Sequence, residues 1–154
     1  MADQRAHEVR RARADEAEAV AGVWLRSRHA TVPANPPIVH TDDEVRGWFA
    51  DVVFPSREVW VVDAGDTVVG VMVLDGDDLD QLHIEPGWTG RGLGAELVAI
   101  AKARRPDGLT LWTFQANGGA RRFYEREGFV ALRTTDGDNE EGEPDVQYRW
   151  LPRE

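Results

Sequence analysis

The sequence contains no cysteine among its 154 residues, and this absence excludes several classes of function at once. Without thiols the chain has no disulfide, no thiolate metal site and no cysteine nucleophile. It also lacks any apolar run near the roughly 18 residues that a membrane helix requires. The N-terminal stretch has no apolar core of the kind found in secretion signals, which predicts a cytoplasmic protein.

Other catalytic groups are sparse or wrongly spaced. The only serines, Ser27 and Ser56, do not belong to the G-x-S-x-G turn of serine hydrolases. The four histidines follow no metal-ligand spacing, so no metal site is predicted. A serine triad and a metal-assisted reaction are therefore both disfavoured.

Basic residues are missing from two acidic segments. Residues 75–85 contain five acids and residues 136–145 contain six, with no Lys or Arg in either. The formal net charge of −10 disfavours binding to nucleic acid or to an anionic membrane. The two segments are either solvated loops that keep the protein soluble or a surface that favours a cationic partner such as a protonated amine.

The length and the order of elements predict one domain over 1–154, with a loose tail over 1–6. Hydrophobic periodicity gives the order β, α, α, β, β, β, α, β, α, β, β. Antiparallel hairpins and βαβ units are thus mixed in one chain. This order predicts an α+β fold with a central mixed, mostly antiparallel sheet of about seven strands flanked by about four helices.

Several local signals set the expected bounds of these elements. The first strand is predicted over 8–14, with Asp15 as the cap of the first helix and Thr41 or Asp42 as the cap of the second. A proline-rich crossing over 31–40 separates the two helices. We assign the tryptophans of the predicted strands to the core: Trp60, Trp112 and Trp150.

Three glycines at alternate positions, Gly90, Gly92 and Gly94, lie between a strand ending in "LHIEP" and a predicted helix. Glycine permits positive φ and allows other atoms to approach the main chain closely. Bare amides at a helix N-terminus form an anion site, and phosphate or pyrophosphate is its natural guest. The alternative is a turn that only lets the helix pack on the strand.

Gly90, Gly92 and Ala95 fit the G-x-G-x-x-A pattern of dinucleotide-binding folds, but the surroundings differ. The segment "EPGWT" separates the pattern from its strand, and no acid follows about 20 residues later, where such folds bind ribose. No G-K-[ST] is present, which also excludes the phosphate loop of NTPases.

Two segments in the correct order resemble the GNAT superfamily of N-acetyltransferases. "TGRGLG" resembles the family's acetyl-coenzyme A motif Q/R-x-x-G-x-G/A, with Thr89 in place of the long polar residue at its first position. "NGGARRFYEREGF" over 117–129 matches the pattern N-x-x-A-x-x-[FL]-Y-x-x-x-G-F. The resemblance implies an enzyme that moves an acetyl group from acetyl-coenzyme A to a primary amine by direct attack, without a metal.

The resemblance also implies roles for individual residues. The main chain of Leu82, His83 and Ile84 pairs with the pantetheine arm as an added strand would. Asn117 caps the next helix and hydrogen-bonds the pantetheine region, while Tyr124 lies at the thioester. The residues expected to cradle the pyrophosphate are Arg91, Gly92, Leu93, Gly94 and Ala95.

Proton transfer is assigned from the same resemblance. Tyr124 shares a helix face with Ala120, and its phenol is the expected general acid for the departing thiolate. The alternatives are that Tyr124 only hydrogen-bonds the thiolate, with no effect on the rate, or that its ring only packs against the sheet. Asp80 and Glu85 border the cofactor strand and are the candidates for the general base. Each has the alternative of a surface acid, and proximity could make a base unnecessary.

The acceptor is less sharply defined than the donor. A small-molecule or peptide amine, possibly cationic, is expected between the crossing over 31–40, the first two helices and the acidic loop over 136–145. An exposed terminal strand makes a homodimer possible. The functional alternative is a non-catalytic sensor or interaction domain that binds acyl-coenzyme A on the same fold.

Overall fold

The structure is a computed structural model that describes residues 6–153. The predicted tail over 1–6 lies outside this range except for Ala6. The strands are β1 (Glu8–Arg11), β2 (Glu58–Asp63), β3 (Val68–Asp75), β4 (Asp78–Ile84), β5 (Leu109–Phe114), β6 (Val130–Thr135) and β7 (Asp145–Trp150). The helices are α1 (Ala17–Ala30), α2 (Asp42–Trp48), α3 (Phe54–Ser56), α4 (Leu93–Arg104) and α5 (Gly118–Arg126).

The seven strands form one sheet in the order β1-β2-β3-β4-β5-β7-β6. Every neighbouring pair is antiparallel except β4 and β5, which run parallel. A π-helical turn, Phe49–Val53, joins α2 to α3 in one continuous helical segment. The predicted α+β fold, with a mixed, mostly antiparallel sheet of seven strands, is confirmed.

The parallel pair is where the sheet opens. β3 and β4 are paired from Gly70 opposite Ile84 to Asp75 opposite Asp78, with one register shift between Val73 and Leu74. By contrast, β4 and β5 share a single registered pair, Asp78 and Thr110. Since that pair lies at the start of β4, the two strands diverge toward their C-terminal ends. The outer edge of β4 is therefore left without a strand partner over most of its length.

Two apolar clusters hold the helices on opposite faces of the sheet. Leu93, Leu97 and Tyr124 belong to the cluster beneath α4 and α5, together with side chains of β3, β5 and β7. Trp24 and Phe49 belong to the cluster beneath α1 and the π-helical turn, together with side chains of β2 and β3. The helices thus fix both walls of the opening between β4 and β5.

The start of the chain differs from the prediction. β1 ends at Arg11, and a 3-10 turn, Ala14–Glu16, precedes α1, so that Glu16 rather than Asp15 is the N-cap. Glu16 is only 8% exposed, and its carboxylate accepts two hydrogen bonds from Arg10, at 2.9 and 2.7 Å. The same carboxylate accepts from the Arg13 amide at 2.7 Å. These bonds draw Glu16 inward, and α1 begins one residue later than predicted.

The other predicted helix ends agree with the structure. Thr41 caps α2 and accepts from the Glu44 amide, whose own side chain returns a bond to the Thr41 amide. Gly128 follows the end of α5 with a φ of +92°. No helix in the described part of the chain is long and apolar enough to cross a membrane.

Candidate functional site

The opening between β4 and β5 holds two cavities, one on each side of the tyrosine that α5 directs into it. The first, the glycine-loop cavity, has a volume of about 680 Å³ and lies between the end of β4 and the starts of α4 and α5. The second, the acidic-loop cavity, has a volume of about 610 Å³ and lies between α1, β4, β5 and the loop after β6. Both are large enough for a small-molecule ligand.

Most of the predicted cofactor residues line the glycine-loop cavity. These are Leu82, His83, Ile84, Gly92, Leu93, Gly94, Ala95 and Tyr124. Arg91 does not line it; its guanidinium lies over the Trp88 ring, 4.7 Å from the ring centre. Asn117 lines the acidic-loop cavity instead.

The three glycines of this loop, Gly90, Gly92 and Gly94, have different structural roles. Gly90 and Gly92 have φ angles of +76° and +82°, which L side chains rarely adopt. A Cβ at either would meet no atom within 4 Å, so the main chain there faces open space. At Gly94 a Cβ would lie 3.2 Å from the Phe123 ring, so this glycine allows α4 and α5 to pack closely.

The amides after Gly92 point into the same space. Gly92 is the N-cap of α4, and the first helical bond runs from the Glu96 amide to the Gly92 carbonyl at 3.1 Å. The amides of Leu93, Gly94 and Ala95 precede that bond and have no acceptor within the helix. Together with the helix dipole they form an electropositive cradle suited to a phosphate group.

Tyr124 lies in the wall common to both cavities. Its ring packs edge-on against Phe123 and Phe129, with centroids 5.1 and 5.6 Å away, and the side chain is 8% exposed. Burial alone raises the pKa of the phenol above its ordinary value. The hydroxyl is therefore protonated at neutral pH and makes no hydrogen bond within residues 6–153, so it can donate to a ligand.

His83 is held as a neutral ring by its neighbours. Gln81 Oε1 accepts from Trp24 Nε1 at 2.8 Å, and it lies 3.0 Å from His83 Nε2. Since this amide oxygen can only accept, Nε2 carries the proton and Nδ1 accepts from the Ser27 hydroxyl at 3.2 Å. Both ring nitrogens are thus satisfied within the protein. Burial lowers the pKa of His83 to about 3.

We expect His83 to make the fold less stable in acid. Its pKa falls from 6.5 to about 3 on folding, so between these values the unfolded chain binds the extra proton. The free energy of unfolding should therefore decrease as pH falls from 6.5 to 3, by about 1–3 kcal/mol, since His83 lines both cavities and each pKa unit corresponds to about 1.4 kcal/mol. Denaturant titrations of wild type and His83→Gln across this range measure the difference.

Comparison with His83→Gln separates the contribution of His83 to the pH dependence of stability from that of Asp78, which has the opposite sign. Burial raises the pKa of Asp78 from 3.8 to about 6, so its contribution grows as pH falls. That contribution is common to both proteins and cancels in their difference. Parallel stability curves for wild type and His83→Gln would show that the imidazole is not buried in its neutral form.

The acidic-loop cavity is closed by segments that are distant in sequence. Asn117, the N-cap of α5, accepts from the Ala120 amide and donates to Asn35 Oδ1 at 3.2 Å. His40 on the crossing lies 2.9 Å from Glu140 on the acidic loop. The crossing and the acidic loop therefore meet beside this cavity.

Charged side chains of both signs line the acidic-loop cavity. The carboxylates outnumber the guanidinium groups: Asp80, Asp138, Glu141 and Asp145 against Arg28 and Arg133. Trp112 also lines it and is 40% exposed, which corrects its assignment to the core. Trp60 and Trp150 are half-buried and pack against the larger apolar cluster.

The two candidate bases have different surroundings. Asp80 lines the acidic-loop cavity and accepts from Arg57 at 3.0 Å, and burial raises the pKa of its carboxyl. Glu85 lines neither cavity. Both of its oxygens are bound by Arg26, at 2.8 Å each.

Five residues line both cavities and join them: Ser27, Leu82, His83, Ala120 and Tyr124. Ser27 is the member of this group that sequence reasoning did not place at the site, and it also missed Gln81, which lines the acidic-loop cavity and holds His83. The helical spacing of Trp24, Ser27 and Arg28 was an available signal, since these positions share one face of α1. At the junction, a ligand in one cavity would touch a ligand in the other.

Comparison with known proteins agrees with this geometry. A family profile described as an acetyltransferase (GNAT) domain matches residues 55–131. The peptidyl-lysine N-acetyltransferase YjaB of Escherichia coli K12 is 33% identical over 134 residues, which cover 85% of this chain and 87% of that protein. The chain therefore belongs to the GNAT acetyltransferase family, and it is an N-acetyltransferase.

Solved structures share the fold. The solution structure of apo YjaB from Escherichia coli has a TM-score of 0.76 and 27% sequence identity, covering 96% of this chain and 99% of that one. The PaiA N-acetyltransferase from Thermoplasma acidophilum, solved in complex with coenzyme A, has a TM-score of 0.69 and 15% identity over 95% of this chain and 99% of its own.

Proposed function

We propose that this enzyme transfers the acetyl group of acetyl-coenzyme A to the side-chain amine of a lysine in a peptide or protein, by direct attack. The observation that carries the proposal is the meeting of the two cavities at Tyr124 and His83. A donor in the glycine-loop cavity and an amine in the acidic-loop cavity would have their reacting ends side by side. Such proximity supplies a large part of the rate of an acyl transfer.

The glycine-loop cavity takes the cofactor. The unpaired amides of Leu93, Gly94 and Ala95 bind the pyrophosphate, and the open space at Gly92 admits it. The pantetheine arm lies along β4, whose outer edge β5 leaves free beyond Asp78. Coenzyme A bound to the Thermoplasma acidophilum relative of the same fold is consistent with this assignment.

The reaction needs no covalent enzyme intermediate. The lone pair of the neutral amine attacks the thioester carbonyl, and the tetrahedral adduct expels the coenzyme A thiolate. Tyr124 gives its proton to that sulfur as general acid, and the phenolate recovers a proton from the attacking nitrogen through solvent. A tyrosine phenol is protonated at neutral pH, so Tyr124 carries the proton that the departing thiolate takes.

Asp80 is the stronger candidate for the group that accepts the proton of the incoming ammonium. It lines the acidic-loop cavity, and its raised pKa makes it a better base than an ordinary aspartate. We expect Asp80→Asn to lower kcat/KM about tenfold, a modest loss because some amine is already neutral and proximity is unchanged. Initial rates with a lysine peptide measure this effect.

Glu85→Gln is the matched control, since Glu85 lies outside both cavities and is bound by Arg26. Its kcat/KM should stay within about twofold of wild type. Wild-type activity should also fall as pH decreases through the pKa of Asp80, and that limb should be missing in Asp80→Asn. A larger loss in Glu85→Gln than in Asp80→Asn would reverse the assignment.

The choice of a peptidyl lysine rests on two supports. YjaB, which is named a peptidyl-lysine N-acetyltransferase, resembles this chain over most of both lengths. The acidic-loop cavity also carries more carboxylates than guanidinium groups, which favours a cationic acceptor.

The test is incubation with acetyl-coenzyme A and a set of lysine peptides, read by mass spectrometry. The chain contains a single lysine, Lys102, and its ammonium donates to the Glu127 carbonyl, so acetylation of the enzyme itself gives little background. Peptide acetylation that depends on the enzyme is expected. If the protein binds acetyl-coenzyme A but acetylates no peptide, the alternative of a non-catalytic acyl-coenzyme A sensor is favoured instead.

A further inference from the structure

Arg28 is a buried cation in the wall of the acidic-loop cavity. It lies on α1 and is 8% exposed. Its guanidinium lies over the Trp24 ring, 5.1 Å from the centre, and one nitrogen donates to the Pro36 carbonyl at 3.0 Å. The helix and the proline-rich crossing together hold this side chain in place at the cavity.

The guanidinium is only partly satisfied by the protein. Nε is buried and makes no hydrogen bond. No carboxylate among residues 6–153 forms an ion pair with Arg28, although the charge of Glu141 acts on it from a distance. Other part-buried arginines, Arg10 and Arg57, are paired with acids.

An additional hydrogen-bond acceptor would stabilise the buried Arg28 guanidinium. Burial without compensating hydrogen bonds destabilises a charged side chain and lowers the pKa of Arg28. A guanidinium presents several donors in a fixed plane, which suits carbonyl and carboxylate oxygens. Nη1 also makes no hydrogen bond within residues 6–153 and, unlike Nε, is not fully buried, so a ligand oxygen in this cavity can reach it.

We propose that Arg28 binds a carbonyl or carboxylate oxygen of the acceptor, and that it thereby selects amines of amino-acid or peptide character over plain alkylamines. This inference rests on the proposed function, since it assigns the acceptor to the acidic-loop cavity. In this arrangement the acceptor's amine lies at the junction of the two cavities, and its carbonyl or carboxylate oxygen lies at Arg28.

The position of Arg28 agrees with a short acceptor chain. The Trp24 ring lies 5.1 Å from the Arg28 guanidinium and 5.8 Å from the His83 ring, so Arg28 lies close to the junction of the two cavities. A lysine residue carries its amine and its carbonyl at opposite ends of one side chain. An alkylamine of the same length would bury Arg28 with its donors still unpaired, and sites of this kind reject analogues that lack the hydrogen-bonding group.

Calorimetry on the enzyme saturated with coenzyme A tests the inference without requiring turnover. Three ligands are compared: Nα-acetyl-lysine methylamide, which offers carbonyls; free lysine, which offers a carboxylate; and pentylamine, which offers no oxygen. We expect pentylamine to bind at least about tenfold more weakly than the better of the other two, a difference of about 1.4 kcal/mol. Which of the two binds better identifies the oxygen.

Arg28→Gln should abolish this preference, while Arg46→Gln, on the exposed side of α2 and paired with Asp43, should keep it. Arg28→Lys retains the charge without the fork and should lose most of the preference, which provides a second variant if Arg28→Gln does not fold. Equal affinities for the three ligands in wild type would overturn the inference, as would a preference that survives in the Arg28 variants.

The same three ligands separate the inference from the proposed function. If pentylamine and the lysine derivatives are acetylated at equal kcat/KM, the proposed acetyltransferase reaction stands, but Arg28 does not select the acceptor. If the binding preference depends on Arg28 but no ligand is acetylated, Arg28 does bind the ligand oxygen and the proposed reaction is contradicted.

Discussion

Gly92→Asp should abolish the binding of acetyl-coenzyme A. Gly92 has a φ of +82° at the N-cap of α4, and a side chain there would extend into the space that we assign to the pyrophosphate. Two like charges about 4 Å apart near a protein surface repel by about 4 kcal/mol. We therefore expect the affinity to fall at least about a hundredfold in calorimetry.

The helix itself should survive this substitution, because left-handed strain at one residue costs only about 1–2 kcal/mol and Asp is one of the few side chains that adopt this conformation. Gly65→Asp is the matched control. Gly65 has a φ of +89° in the turn between β2 and β3, and a Cβ there also meets nothing within 4 Å. It should suffer the same strain without any loss of affinity. Undiminished binding by a folded Gly92→Asp would show that the cofactor phosphates lie elsewhere.

Tyr124→Phe should lower kcat by about a hundredfold or more, the usual contribution of a general acid. The phenol makes no hydrogen bond within the described residues, and Phe keeps the contacts with Phe123 and Phe129. Folding and coenzyme A affinity should therefore change little, so the loss falls on kcat rather than on KM. Steady-state rates with a lysine peptide measure both constants.

Tyr148→Phe is the control for removal of a buried phenol. The Tyr148 hydroxyl accepts from Arg121 at 3.0 Å and donates to Glu125 at 2.7 Å, and it lines neither cavity. Its loss should lower the free energy of unfolding by about 1 kcal/mol and leave kcat near wild type. If Tyr124→Phe keeps full kcat, the phenol has no role in catalysis.

Local sequence signals predicted the backbone conformation of the glycine loop and the start of α5 well. Gly90 and Gly92 adopt the left-handed conformation expected of them, and Asn117 caps α5. These features depend on residues within one loop or one helical turn, so a short stretch of sequence carries the whole signal. The order of strands and helices was also readable, because hydrophobic periodicity depends on the same short range.

Features that depend on distant partners were not predictable. Glu16 replaces Asp15 at the start of α1 because Arg10 binds it, and Arg10 is itself held by Asp63 on β2. Trp112 is exposed because β4 and β5 diverge, and the strand pattern alone does not show which face a helix will cover.

The acceptor side was the hardest to predict for the same reason. The neutral state of His83 depends on Gln81 and on Ser27, which lies 56 residues away on α1. Arg28 reads in the sequence as one more surface arginine of a helix. Only the packing of α1 against the crossing shows that it is buried beside a cavity.

The central claim is that donor and acceptor bind in two cavities that meet at Tyr124. The most direct test is the affinity of a bisubstrate compound, in which the sulfur of coenzyme A is joined through an acetyl bridge to the side-chain nitrogen of a lysine peptide. Joined cavities predict at least about tenfold tighter binding than coenzyme A alone, with competition against both acetyl-coenzyme A and the peptide. An affinity equal to that of coenzyme A, with peptide binding undisturbed, would contradict the claim.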